Sequence, residues 1–584
     1  MKSWRVKSPA WSVYCLLCIV CLWNGGVCFA DGGMRFGFGK RDITPTEPMR
    51  LSGYSNRTVP AKDAYEKLNV RSMVMRGEGG ETYAIVSIDL LGLSASQNAE
   101  IARRVEAAHQ IPRERLVVSC THTHTGPQLT EPASNLLSTP FTEGETACAL
   151  AYAERLTQEI TAVIGDGIAD LKPGRMFLGE GKATFAMNRR KLVDGKYVMV
   201  ANPEGAVDHS LPVLKITDEG GKVRGLVFNY ACHATTLGPN DNQYNPDWPG
   251  FAAKFLEEAY PGAMALSLIG CGADANPEPR SRKDLDAVAA SIGHGRAAAK
   301  GVKEGLEGKL TEIKGSPVCS FGFAGIAFDL PSREELTLRL TEQNVTIRQH
   351  AANMLEILKQ KRMLPSSYPL PLQTWQFGDE LTMVFMGGEV VVDYALRLKK
   401  ELKPGYVWVS AYTNDDPGYI ASERVRSEGG YEVDYSMFFY NQPGRWATGT
   451  EELIIERIKA LRDNPQAERA RNPDESALLM HLPQGFRIEA VATEPLVMDP
   501  VNFAFGPDGK LWVVEMADYP LGEDGKSIGR VVYLEDDDRD GKFDRRTVFL
   551  TGLEYPTGVF PWKEGVIVSA APEIFFVKDT NGDG

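Results

Sequence analysis

Two histidines stand two residues apart in Leu116-Val-Val-Ser-Cys-Thr-His122-Thr-His124-Thr-Gly-Pro127, where an apolar run breaks into Gly-Pro. Side chains at i and i+2 of an extended segment point the same way, so His122 and His124 would share a centre while Thr121, Thr123 and Thr125 face away. Two imidazoles on one face suggest a metal. A solvated pair in a Thr-rich turn is the other reading, and the rest of the chain has to decide between them.

A second context, Phe228-Asn-Tyr-Ala-Cys-His233-Ala-Thr-Thr, also closes an apolar strand-like run. Strand ends are where α/β sheets build sites, which draws His233 into the same hypothesis. Cys120 and Cys232 flank these histidines and are expected to be buried small apolar residues rather than ligands.

The elements that must position these groups follow an α/β rhythm from Arg35 to about Ala460. Tyr83-Ala-Ile-Val-Ser-Ile-Asp-Leu reads as a strand, Ala95 to His109 as a helix and Leu116-Val-Val as a strand again. The pattern returns at Gly225-Leu-Val-Phe-Asn-Tyr, Ala263-Met-Ala-Leu-Ser-Leu-Ile and Leu381-Thr-Met-Val-Phe-Met, followed by helical spacing through Ile454 to Leu461. One large mixed-sheet α/β domain, residues 31–462, holds all of it, and the polar stretch 463–478 reads as a linker.

Residues 479–584 change character to short strands and Gly-rich turns, an all-β piece. Glu535-Asp-Asp-Asp-Arg-Asp-Gly541 is echoed by Lys578-Asp-Thr-Asn-Gly-Asp-Gly584 about 43 residues on, a period that suits propeller blades. Two blades do not close a ring, so an incomplete propeller is expected. Asp536, Asp538 and Asp540 begin like a calcium loop, but Thr547 stands where that loop needs a bidentate Glu, which predicts an acidic turn instead.

A chain of 584 residues with net charge −13 and no basic stripe argues against nucleic acid and against an electrostatic grip on anionic lipid. Lys2, Arg5 and Lys7, an apolar stretch from Trp11 to Trp23, and Val27-Cys-Phe-Ala30 predict a signal peptide cleaved after Ala30. Export to the periplasm or outside follows, with no transmembrane segment left in the mature chain. Of nine cysteines, four go with that peptide, and the remaining odd, scattered set is no disulfide framework.

From about Phe36 to Thr450 the sequence resembles the amidase domain of the neutral ceramidase family. The resemblance runs through Arg41-Asp-Ile-Thr-Pro45, Leu51-Ser-Gly-Tyr54, Ser87-Ile-Asp-Leu-Leu-Gly92 and Ser119-Cys-Thr-His-Thr-His-Thr-Gly-Pro127. It continues through Met187-Asn-Arg189, Asn229 to Thr235, Asp247-Trp-Pro-Gly-Phe251, Gly270-Cys-Gly272, Gly388-Glu389 and Gly418-Tyr-Ile420. It implies a zinc ion held by His122, His233, Glu389 and Tyr419, a ligand chemistry that suits Zn2+ apart from the unusual tyrosine. His124 would then stabilise the oxyanion or shuttle a proton, Arg189 would bind substrate, and Asp247 would orient a ligand histidine from behind.

One departure matters: the family's Gly-Asp-Val-Ser-Pro-Asn is Gly272-Ala-Asp-Ala-Asn-Pro277 here, with Ala275 in place of a serine at the scissile bond. The expected activity is therefore metal-dependent hydrolysis of an N-acyl amide, with a small-molecule N-acyl substrate, lipid-like or polar, and a site that lacks the serine hydroxyl of the ceramidases. The β tail resembles the start of dehydrogenase-like propellers through Leu511-Trp-Val-Val-Glu-Met and Tyr555-Pro-Thr-Gly558, without the Cys-x-x-Cys-His of haem attachment. A quinone- or sugar-dependent dehydrogenase with the front domain as accessory, and a non-catalytic zinc-containing binding module, are the two rival readings.

Overall fold

The computed structural model describes residues 33–582 apart from 62, 281, 283, 362–363, 465–475, 477–487 and 517–527. The expected signal peptide and most of the expected linker lie outside the described residues.

Three five-stranded sheets build the α/β part, each mostly antiparallel with one parallel pair. In the first, Thr82–Ile88 runs parallel to Leu116–Cys120. The second pairs Val223–Tyr230 with Met264–Ile269, and the third pairs Leu381–Met386 with Tyr406–Ser410, again in parallel. A parallel pair needs a crossover, and the connection within the first sheet is the helix Ala95–His109. That helix opens on a Ser94–Gln97 capping box, and its bounds match the sequence reading.

The strands of these parallel pairs are buried on both faces, as their unbroken apolar runs require. Ile85 and Val117 of the first sheet, Leu214 and Leu266 of the second, and Trp375 and Phe385 of the third share one apolar cluster. The sheets are also stitched at their edges: Cys120 N donates to Tyr412 O at 3.1 Å, Asn414 N to Val118 O at 2.7 Å, and Ala411 N to Ile269 O at 2.8 Å. The loop after Tyr406–Ser410 thus closes over the edges of the other two sheets, and the carboxyl ends of all three parallel pairs meet there.

The C-terminal part forms a four-stranded antiparallel meander, Pro500–Phe505 to Arg545–Leu553, and a three-stranded one, Pro556–Trp562 to Glu573–Val577. Asp536 accepts the amides of Asp540 and Gly541, and Asp540 accepts that of Lys542 at 2.7 Å, so the acidic turn is spent on its own backbone. All five cysteines of the described residues are free thiols, and Cys120, Cys232 and Cys271 are buried. No described helix is long and apolar enough to cross a membrane.

Candidate metal centre

Each sheet delivers part of the site from the carboxyl end of a parallel strand, the position where open α/β sheets place ligands. The first sheet supplies His122 and His124, the second His233, and the third Glu389 and Tyr419. His122, His233 and Glu389 are 1%, 0% and 2% exposed.

The side chains converge. Glu389 Oε2 lies 3.2 Å from His122 Nε2 and 3.0 Å from His233 Nε2. Tyr419 OH is 3.2 Å from His233 Nε2, and His124 Nε2 is 3.2 Å from His122 Nε2. The three imidazoles form a group whose ligating atoms all lie within 4.8 Å of one another.

His122 and His124 meet by a different device from the expected strand alternation. The strand ends at Cys120, and His122 takes a left-handed conformation at φ 57°, uncommon for a residue with a Cβ. The two rings lie edge to face at 4.9 Å. Asp247, Tyr412 and Asn414 share the left-handed conformation, so backbone strain collects around the site.

The far ring nitrogens set the tautomers. His122 Nδ1 donates to Leu91 O at 2.8 Å, His233 Nδ1 to Gly272 O at 2.9 Å and His124 Nδ1 to Gly53 O at 3.1 Å. A carbonyl oxygen only accepts, so each Nδ1 carries a proton and each Nε2 is left to face the centre, where those of His122 and His233 meet Glu389. Burial pushes His233 down to about 4 and, with His122 and His233 beside it, holds His124 well below the usual histidine range. Burial alone would raise Glu389, but His122 and His233 outweigh it and hold the carboxyl well below its ordinary value. Two imidazole nitrogens and a carboxylate oxygen therefore face one another across about 3 Å. A single proton can bridge one of these contacts, whereas a cation at their common focus satisfies all of them, and imidazole with carboxylate is a donor set that fits Zn2+.

Glu389 and Tyr419 are positioned together. Glu389–Val390 pairs in parallel with Tyr419–Ile420, which makes the two residues register partners. Burial raises the Tyr419 phenol well above its ordinary value against the pull of Arg189.

Arg189 lies inside the site. It donates to Glu432 at 3.0 Å, Asn276 at 3.2 Å and Tyr419 OH at 2.9 Å, so three of its five N–H groups are committed and one of them holds Tyr419. Asp247 reaches the His233 loop through the backbone. Its carboxylate accepts the amides of Thr236 at 2.8 Å, Leu237 at 3.3 Å and Trp248 at 2.6 Å, and Trp248 Nε1 donates to His233 O at 2.9 Å. Asp247 thereby shapes the loop that carries His233, while the histidine rings are oriented by carbonyls. Ala275 is buried beside them, its carbonyl accepting from His233 N at 3.0 Å.

Two tyrosines carried no sequence signal. Tyr440 donates to Glu389 Oε1 at 2.5 Å, and the Tyr412 ring covers His122 at 4.3 Å between centroids. Tyr440 follows a π-helical turn at Tyr431–Tyr435 and a short α-helix at Ser436–Phe439, a local irregularity that often marks functional sites.

In the comparisons with known proteins, the family match takes in the three histidines and the structural matches cover most of the chain. The neutral ceramidase of Pseudomonas aeruginosa, solved as a crystal structure, superposes with a TM-score of 0.56 at 18% identity, covering 89% of each chain. The fold is that of neutral ceramidase. A ceramidase complexed with C2 superposes similarly, at a TM-score of 0.58 and 18% identity over 89% of this chain and 90% of that one. Residues 34–278 match the family model of neutral/alkaline non-lysosomal ceramidase, N-terminal, and residues 472–584 match a domain of unknown function, DUF7133.

In sequence, the neutral ceramidase of P. aeruginosa is 25% identical over 233 residues, 38% of this chain and 33% of that protein. Neutral ceramidase 1 of Arabidopsis thaliana is 22% identical over 268 residues, 44% of this chain and 33% of its own length. The aligned part spans about a third of these relatives.

Proposed function

We propose that this chain is a zinc-dependent hydrolase of N-acyl amide bonds, with His122, His233, Glu389 and Tyr419 holding the metal. The observation that carries the reading is the cluster of three imidazoles whose ligating atoms lie within 4.8 Å of one another, two of them also within 3.2 Å of the Glu389 carboxylate, an arrangement that fits a cation. The ceramidase fold and the family match of residues 34–278 support amides as the substrate class.

Zn2+ in this position would supply a Lewis acid for the amide carbonyl and a hydroxide nucleophile near neutral pH. The chain supplies the rest. His124 is the least buried of the three histidines, its ring tilted against Tyr54 at 5.1 Å between centroids. Its neutral Nε2 takes a proton as the carbonyl is attacked and returns it to the departing amine. Arg189 fixes the Tyr419 hydroxyl, and Tyr440 fixes the second oxygen of Glu389. Ala275 offers no hydroxyl, so no step draws on a serine.

The reading treats residues 31–462 as the catalytic domain of an exported protein, and the two β-meanders as the start of a propeller built on the second domain, 479–584. Hydrolysis of a fluorogenic N-acyl amide by the zinc-loaded chain tests the activity, with loss expected in His122→Ala. A zinc-loaded chain inert on every N-acyl amide offered would contradict it.

A further inference from the structure

A cavity of about 330 Å3 opens beside the centre and shares Arg189 and Asn276 with it. Met187, Met199 and Val200 form its apolar wall, and Met199 and Val200 remain 41% and 46% exposed at the end of the hairpin Arg190–Val193 and Lys196–Met199. The other wall is polar and includes Glu278 and Arg280.

The cations of this wall differ in their commitments. Arg189 is bound to Glu432, Asn276 and Tyr419, and Arg190 to Glu428 and Glu432. Arg280 is half-buried, yet it has no hydrogen bond or ion pair with any described residue, Glu278 included. A guanidinium taken partly out of water without an anion is costly, and its planar fork matches a carboxylate in two parallel hydrogen bonds.

We propose that Arg280 selects a substrate carboxylate, so that the chain hydrolyses N-acylated amino acids with an apolar acyl group. This rests on the amidase reading. The apolar wall opposite Arg280 suits the acyl chain, which leaves Arg280 on the polar wall for a carboxylate on the amine half of the substrate. The acyl chain lies along Met187, Met199 and Val200. Water adds to the carbonyl carbon, the C–N bond breaks, and the proton from water goes to nitrogen, giving a fatty carboxylate and a free amino acid. Glu278 works against the anion and limits its affinity.

The test compares N-decanoylglycine with N-decanoylglycinamide, which is neutral and nearly isosteric, using the full zinc-loaded chain. The wild type should favour the acid by about tenfold or more in kcat/KM, because a charge built for a partner rejects the analogue that lacks it. Arg280→Gln should bring the ratio to about one, Arg280→Lys should keep part of it, and Glu278→Gln should raise it. Calorimetric titration of both compounds decides the matter independently of turnover. The acid should bind more tightly than the amide to the wild type and lose that advantage in Arg280→Gln. Equal binding of the two by the wild type, or an unchanged ratio in Arg280→Gln, overturns the assignment. Absence of hydrolysis alongside carboxylate-selective binding would count against the amidase reading while leaving Arg280 as the recognition residue.

Discussion

Glu389 and Tyr419 are register partners in a parallel ladder two residues long, so one ladder carries two of the proposed zinc ligands. Gly388 N donates to Asp415 O and Glu389 N to Gly418 O, each at 2.9 Å. Gly388 sits at φ +80°, and a Cβ there would lie 2.7 Å from the Gly418 carbonyl.

Gly388→Ala should therefore cost about 1–3 kcal/mol through backbone strain. The clash is with the backbone next to Tyr419, so both ligands shift and metal affinity falls further than stability alone accounts for. Thermal unfolding of the metal-free chain and zinc competition with a chelator separate the two effects. Unchanged zinc affinity in a destabilised variant would show that the ladder does not set ligand geometry.

Tyr440→Phe removes the phenol that donates to Glu389 Oε1. A partner that orients a metal-ligating carboxylate typically accounts for about 10–100-fold in metal affinity. The variant should fold normally by circular dichroism and lose zinc to a chelator at a correspondingly lower chelator concentration.

His350, far from the centre in sequence and on the helix Val345–Lys361, predicts an acid limit to stability. Its Nε2 donates to Gln442 O at 2.7 Å, and its buried Nδ1 has no hydrogen-bond partner among the described residues. Burial holds it down to about 4, below the ordinary 6.5. The unfolded chain takes up this proton below about pH 6.5 and the folded chain only below about 4. The stability it contributes is thus complete above pH 6.5 and declines as pH falls to 4, by up to about 3 kcal/mol. Urea midpoints of the metal-free chain at pH 7.5, 5.5 and 4.5 should show this decline, and His350→Phe should flatten it.

Local patterns carried much of the fold. The apolar runs of Val223–Tyr230, Met264–Ile269 and Leu381–Met386 announce buried strands, and Ala95–His109 shows both its cap and its period. His122, His124 and His233 were legible because strand ends concentrate sites. The rest depended on contacts across sheets. Nothing near Tyr440 in the chain marks its bond to Glu389, and Arg189 carries no local sign that Glu432, Asn276 and Tyr419 occupy its fork. The left-handed turn at His122 is equally silent, since the strand pattern before it gives every reason to continue the alternation.

Metal content measured together with turnover addresses the central claim most directly. Elemental analysis of the purified chain after zinc loading and dialysis should give one zinc per chain at this centre. His122→Ala and His233→Ala should each abolish that zinc and the hydrolysis of N-acyl amides together. A wild type that retains no zinc, or a His122→Ala chain that keeps both zinc and activity, would contradict the account.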